Sequence, residues 1–284
     1  MLLNLREYNR PSALDEALAL LARPGIRTVP LAGGDALLGS GDPTVEAVVD
    51  LQGLGLDAIA EDGERAGLRI GAMVRRAGLA ADERVQGCYA GVIAQAAGRW
   101  PGSLQRNRGT RGGALAMAAP DDPLVVAMLA CEAVVVLHTQ AGAQEVALAD
   151  FLPHRLSMLA APALITEVWL PLPVPGTAAA MAAVARTPAD WPIVVAGAVL
   201  EVAQGRCSRA RLALGGVADR PVRLPEAEQL LEGHSLTAEA MAGLEQRVKE
   251  LVRPCGDFRG SAEYRQAMAG VLSRRAVSEA LTRC

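Results

Sequence analysis

Residues 31–40 read LAGGDALLGS: an apolar run, two adjacent glycines, an acid, then a second apolar run. Upstream, IRTVPLAGG (26–34) reads as a short strand running into the glycine turn. Paired glycines at a strand end let the backbone approach a ligand closely. Successive N–H groups in such a turn form a nest for anions. A carboxylate straight after the pair is unusual if that anion is a phosphate. A second glycine-rich stretch, RNRGTRGGALAMAAP, occupies 106–120. Either loop alone fits an ordinary tight turn. Together, facing each other, they would suit a pyrophosphate.

Working outward, RPSALDEALALLARPG (10–25) reads as a helix with Ser12 as N-cap and Leu14, Ala17, Leu18 and Leu21 on one face, ended by Pro24–Gly25. VEAVVDL (45–51), LRIGAMV (68–74), AVVVLHT (133–139) and ALITEVWLPLP (163–173) read as strands, and the stretches around 91–100 and AMLAC (127–131) as helices. PLPVPG (171–176) carries three prolines and a glycine and marks a linker. IVVAGAVLEVAQGRCSRARLALGGV (193–217) fits two strands joined near Gln204–Gly205. Helices follow around 225–232, 237–252 and 261–281. The last has Ser261 as N-cap and Tyr264, Met268, Val271, Leu272 and Val277 as inward positions. The expected fold class is α+β.

The chain has 284 residues, 51% hydrophobic and only 3% aromatic, so its core must be built from Ala, Leu and Val. A net charge of −3 argues against a nucleic-acid or anionic-membrane partner recruited by bulk charge. No apolar run reaches the ~20 residues of a membrane span. MLLNLREYNRP lacks an export signal, so a cytoplasmic location is expected. The five cysteines form no C-x-x-C pair, which argues against an iron–sulfur cluster or structural zinc in this chain. The three histidines are isolated, which fits surface or locally bonded residues. There is no G-x-x-x-x-G-K-[ST], G-x-G-x-x-G, G-x-S-x-G or H-E-x-x-H. No catalytic constellation and no metal ligands are therefore expected. The paired acids in PDD (120–122) read as charge at a helix N-terminus.

Beyond these local readings, the chain resembles the flavin-binding medium subunit of the molybdenum hydroxylases, the family of carbon monoxide and xanthine dehydrogenases. YNRPSALDEALALL (8–21), LAGGDALL (31–38), LRIGAMV (68–74) and QRNRGTRGGALA (105–116) resemble the family's N-terminal half and its two flavin loops. ARLALGGVADRPVRLPEAEQLLEG (210–233) and DFRGSAEYRQAMAGVLSRRAVSEAL (257–281) resemble its C-terminal domain. The resemblance implies a two-lobed FAD-binding domain of the vanillyl-alcohol-oxidase type over 1–173, with lobes of about 1–55 and 56–173. A smaller partner-docking domain, an antiparallel sheet with a helical layer, would follow over 177–284.

It also implies the cofactor FAD and an oxidoreductase role in a complex. A molybdopterin-binding large subunit oxidises the substrate, and a small subunit with two [2Fe–2S] clusters relays electrons. The medium subunit passes them through FAD to NAD, oxygen or a quinone, typically in a dimer of heterotrimers. Matched position by position, Pro30, Leu31, Ala32, Gly33, Gly34, Asp35, Ala36 and Leu37 would wrap the FAD pyrophosphate. Thr110, Arg111, Gly112, Gly113 and Ala114 would form the opposing wall. Trp100, Ile165 and Trp191 would lie near the flavin ring.

The departures fall on these same positions. Asp35 replaces the usual threonine, Ala114 the usual asparagine, and Pro123 a common aspartate, with Asp122 one residue earlier as its substitute. Two unit charges ~4 Å apart cost about 4 kcal/mol at an effective dielectric near 20, so Asp35 beside a pyrophosphate matters. Arg111 replaces a small apolar residue, and an Asp35–Arg111 ion pair across the cleft is the expected compensation. Two functions stay open: a flavin-bearing electron-transfer subunit, or a flavin-free structural and assembly subunit of the same kind of complex.

Overall fold

The computed structural model describes residues 2–99, 102–160, 162–187 and 190–284. The chain condenses into two compact units. One gathers Met1–Gly78, Gly102–Met117 and Val134–Leu170; the other gathers Leu79–Pro101, Ala118–Ala133 and Pro171–Cys284. The stretch before the proline linker is therefore not one unbroken spatial unit. Two of its segments pack with the C-terminal part.

The first unit holds two sheets. β1 (Glu7–Asn9), β2 (Thr28–Leu31) and β3 (Ala47–Asp50) form a parallel sheet in the order β1-β3-β2. Parallel neighbours need crossovers, and the helices α1 (Leu14–Leu21) and α2 (Asp35–Ser40) supply them. β3, in the middle, is buried at every position, as its unbroken Ala-Val-Val run requires. α1 starts after Ala13, with no side-chain cap. Ser12, the expected cap, lies one residue too early. β4 (Ile59–Asp62), β5 (Gly67–Gly71), β6 (Val134–Thr139), β7 (Gly142–Ala147) and β8 (Ala163–Pro171) form the second sheet, ordered β4-β5-β8-β6-β7. Leu18, Val49 and Leu51 share an apolar cluster with Met73 and Leu164, which joins the two sheets.

Helix α3 (Arg76–Ala81) ends the first segment of this unit and begins the second unit, where α4 (Glu83–Gly87) and α5 (Val92–Gly98) follow. α6 (Ser103–Arg108) and α7 (Arg111–Met117) belong to the first unit, as does α9 (Leu148–Met158); α8 (Pro123–Ala130) belongs to the second. α8 is buried at all eight positions. It is apolar all round, so no amphipathic period marks it in the sequence.

The second unit is built on an antiparallel sheet of β9 (Thr177–Val184), β10 (Val194–Ala203), β11 (Arg206–Gly215) and β12 (Val222–Arg223). β10 and β11 turn at Gln204–Gly205, both at positive φ (52° and 74°), the geometry a two-residue hairpin favours. Side chains alternate along β10. Ala196, Ala198 and Leu200 enter the core shared with α11 (Ala238–Leu251) and α12 (Ala262–Leu281). A Cβ on Gly197 would instead touch Val126 and Ala130 of α8. The sheet thus lies between two helical layers, and the short α10 (Pro225–Glu228) completes the unit.

Ser261 caps α12 through the Tyr264 N–H at 3.2 Å, as expected. Leu272 and Val277 are buried and Met268 packs against the core, as expected; Arg265, Ala269, Ala276 and Ala280 also point inward, while Tyr264 is exposed. The Arg265 guanidinium donates to the Ile193 and Gly216 carbonyls at 2.7 and 3.1 Å and pairs with Asp257 at 2.7 Å.

Candidate functional site

The first unit brings the two glycine hairpins into contact. β2 ends at Leu31, and the chain turns through Ala32, Gly33 and Gly34 into α2. Gly34 is left-handed at φ +79°, a conformation that costs little only for glycine. Gly33 lies so close to the second hairpin that an added Cβ would sit 2.0 Å from the Arg108 carbonyl oxygen and 3.2 Å from the Gly109 Cα. These contacts fall on the two residues just before the 110–114 wall.

That wall is fixed from behind. Arg76 N–H donates to the Gly109 carbonyl at 3.0 Å, Arg111 N–H to Val74 at 3.0 Å, and Gly112 N–H to Ala72 at 2.8 Å. A Cβ on Gly112 would meet the Ala72 Cβ at 2.9 Å. The Thr110 hydroxyl accepts the Gly113 N–H at 3.2 Å. Thr110, Gly112 and Ala114 are buried; Gly33, Gly34, Gly109 and Gly113 are partly exposed; Asp35 and Ala36 are open to solvent.

The charges are arranged otherwise than expected. Arg111 is fully buried. Its Nη2 donates to the Ile70 carbonyl of β5, and its Nε and Nη1 have no partner. Burial pushes it down to about 9, with only the more distant Glu167 acting the other way. Arg111 therefore forms no ion pair with Asp35. The long side chain runs inward from the start of α7, while Asp35 stands at the surface. The cations near Asp35 are Arg108 and Arg76. Partial desolvation raises the Asp35 carboxyl, and these two guanidiniums pull it back by less. Arg76 and Arg108 were missed in the sequence. Arg108 lies within the quoted second loop, and Arg76 just beyond the strand LRIGAMV.

The other expected site residues fall on several elements. Pro30 and Leu31 end β2, and Ala32 belongs to the turn. Leu37 lies in α2. Ile165 is a buried β8 residue paired with Leu137, so it is part of the core. Trp100 lies outside the described residues. Asp122 and Trp191 belong to the second unit. Asp122 caps α8, accepting the Leu124 N–H at 2.9 Å. Its neighbour Asp121 is the more informative acid. It is buried, accepts the Trp191 indole N–H, and pairs with Arg259 at 2.7 Å.

Arg259 in turn reaches Asp257 at 3.1 Å, in the turn closed by Asp257 and Gly260. Hydrogen bonding from Arg265, with further bonds from Arg259, holds the Asp257 carboxyl far below the usual range. A depressed carboxylate stabilises the fold above its unfolded pKa, and that stability is lost as pH falls through the folded value. Asp257→Asn should therefore melt lower at neutral pH. It should also lose less melting temperature than the wild type on acidification below about pH 4, read by circular dichroism.

The donor set suits a nucleotide diphosphate. The glycine hairpins present close backbone, the first turn of α2 leaves N–H groups without intrahelical acceptors, and Arg108 and Arg76 supply positive charge. Among the described residues no group of three or more His, Cys, Asp or Glu is placed to hold a metal ion. No helix among them is long and apolar enough to cross a membrane.

Two family models match the chain: the FAD binding domain in molybdopterin dehydrogenase over residues 4–173, and the CO dehydrogenase flavoprotein C-terminal domain over 179–280. The carbon monoxide dehydrogenase medium chain of Afipia carboxidovorans is 31% identical, covering 98% of this chain and 97% of its own. The nicotine 6-hydroxylase medium subunit of Paenarthrobacter nicotinovorans is 32% identical, covering 96% of each. Among solved structures, carbon monoxide dehydrogenase from Hydrogenophaga pseudoflava superposes with a TM-score of 0.93 over all of both chains, at 31% identity. Quinoline 2-oxidoreductase from Pseudomonas putida matches at 0.88, with 27% identity over 98% of this chain and 97% of the other. The contacting glycine hairpins, the antiparallel C-terminal unit and these full-length likenesses agree: the chain belongs to the family of FAD-binding medium subunits of the molybdenum hydroxylases.

Proposed function

We propose that this chain carries electrons through FAD from [2Fe–2S] clusters of a partner subunit to an external acceptor, within a complex that also contains a molybdopterin-binding large subunit. A cytoplasmic dimer of heterotrimers is the assembly this reading implies. The observation that supports it most is the contact of the Gly33–Gly34 hairpin with Arg108–Gly109. FAD, when bound, supplies the redox chemistry. Residues 32–37 and 110–114 would hold its diphosphate by backbone N–H groups, with Arg108 and Arg76 offsetting its charge.

The test is the purified full chain passed through gel filtration after incubation with FAD. Retention of the flavin absorption band supports the reading, and a colourless protein contradicts it. Co-purification with a molybdopterin-bearing large subunit and an iron–sulfur small subunit tests the assembly. The rival reading, a flavin-free assembly subunit, is favoured by the Asp35 carboxylate at the hairpin contact and predicts the colourless result.

Gly33→Ala provides a sharper check. The new methyl group collides with the Arg108 carbonyl, so the hairpins must part. The variant should lose about 2 kcal/mol of stability by urea denaturation and fail to retain FAD. Gly39→Ala is the control, since a Cβ there meets nothing within 4 Å. It should behave as the wild type in both measurements.

A further inference from the structure

Asp35 stands where the two hairpins meet. Its Oδ2 lies 3.0 Å from the position of a Cβ on Gly109, so the carboxylate lies against the second hairpin. The Arg108 Nη2 lies 3.3 Å from a Cβ position on Gly34, on the first hairpin. Arg76 is tied to the same place through its bond to the Gly109 carbonyl. The charged groups acting on Asp35 from the elements packed around it are these two guanidiniums.

Asp35 is the acid of this trio, so it is the member that can take up a proton when an anion arrives. A diphosphate entering the slot brings like charge toward this carboxylate. Like charge disfavours the ionised form. Ionised Asp35 also competes with the diphosphate for the field of Arg108 and Arg76. Protonated, it ceases to compete and offers an O–H donor to a phosphate oxygen.

We propose that Asp35 couples FAD binding at this slot to proton uptake: FAD enters as the Asp35 carboxylate takes a proton from solvent, and the neutral carboxyl donates toward the diphosphate. The inference rests on the proposal that this slot holds the FAD diphosphate. It makes Asp35 a residue that sets the pH range of cofactor loading, a role a threonine at that position could not have. Partial desolvation of Asp35, which already raises its carboxyl, acts in the same direction.

The experiment uses the full chain. FAD affinity is followed by flavin fluorescence between about pH 5.5 and pH 8.5, with proton uptake read by an indicator dye in weak buffer. ADP serves as a second probe with the diphosphate but no flavin ring, and riboflavin as a third with no phosphate. Wild-type affinity for FAD and ADP should fall on the order of tenfold as pH rises through this range, with protons taken up on binding. Asp35→Asn and Asp35→Ser should bind both probes more tightly at the alkaline end, with flat profiles and no uptake. Riboflavin should show no difference between proteins. Equal pH profiles in wild type and both variants, or binding without proton uptake, would overturn the coupling and leave FAD binding standing. Absence of FAD binding in all three proteins at every pH would overturn the coupling together with the FAD reading.

Discussion

Glu132→Ala is expected to lower the stability of the chain by about 2–3 kcal/mol in urea denaturation. Glu132 follows α8, in the second unit, and its carboxylate receives three arginines. Arg209 donates at 2.8 Å, Arg211 at 2.7 Å and Arg223 at 3.2 Å. The Arg211 and Arg223 side chains are only 13% and 19% exposed, so solvent replaces a lost partner poorly. Burial alone would push Arg223 down; its hydrogen bonds to the Glu228 and Glu132 carboxylates, with their negative charge, more than reverse this.

The loss stays below that of three independent buried pairs because each arginine keeps a second carboxylate: Glu201 for Arg209, Glu232 for Arg211 and Glu228 for Arg223. The groups also line an open cleft of about 450 Å³, which admits screening water and salt. Glu132 itself has φ +55°, a left-handed conformation that strains a residue with a Cβ. Glu132→Gly removes the same carboxylate and relieves that strain. It should be about 1 kcal/mol more stable than Glu132→Ala. Equal stability of the two variants would mean that the backbone at 132 stores no strain. An alanine variant as stable as wild type would mean that the three arginines are satisfied without it.

The sequence disclosed those parts of this molecule whose signal is local. Gln204–Gly205 marked the β10–β11 hairpin, Ser261 marked the start of α12, and the adjacent glycines marked two turns that come into contact in the first unit. Contacts set by distant segments were hidden. Five of the eight β9 residues are alanine, a composition that favours helix. It is a strand because β10 supplies a full antiparallel register from Thr177–Glu201 to Val184–Val194, and small side chains suit the α12 packing. On α12 the inward Leu272, Val277 and Met268 were legible, but Arg265 was not, because it is polar yet buried, its charge used by Asp257 and by two carbonyls. Of the PDD acids, read as charge at a helix N-terminus, Asp122 does cap α8; the neighbouring Asp121 makes long-range bonds that no local signal showed. Composition cannot distinguish two adjacent aspartates, because only the helix start decides which one turns back to cap.

Arg111→Met is expected to raise stability by about 2–3 kcal/mol at neutral pH, a gain in place of the loss that most core substitutions cause. Arg111 is fully buried, donates from Nη2 to the Ile70 carbonyl, and leaves Nε and Nη1 without partners. Burial depresses its pKa to about 9, which corresponds to an unfavourable contribution on the order of 5 kcal/mol, the upper limit of what removal could recover. Loss of the Ile70 bond and imperfect filling by methionine reduce that figure. At neutral pH the guanidinium is still charged, so the fold bears the full cost.

The pH dependence has a definite sign. Above about pH 9 the folded chain binds fewer protons at Arg111 than the unfolded chain, so wild-type stability should rise with pH there relative to Arg111→Met. The advantage of the variant should accordingly be constant below about pH 9 and shrink above it. Urea denaturation of both proteins at neutral pH and near pH 10 measures the difference. A methionine variant less stable than wild type at neutral pH would show that the two orphaned nitrogens hold a buried partner. FAD retention by Arg111→Met would then decide whether that partner also serves the slot, because Arg111 starts the helix whose N-terminal residues form its second wall.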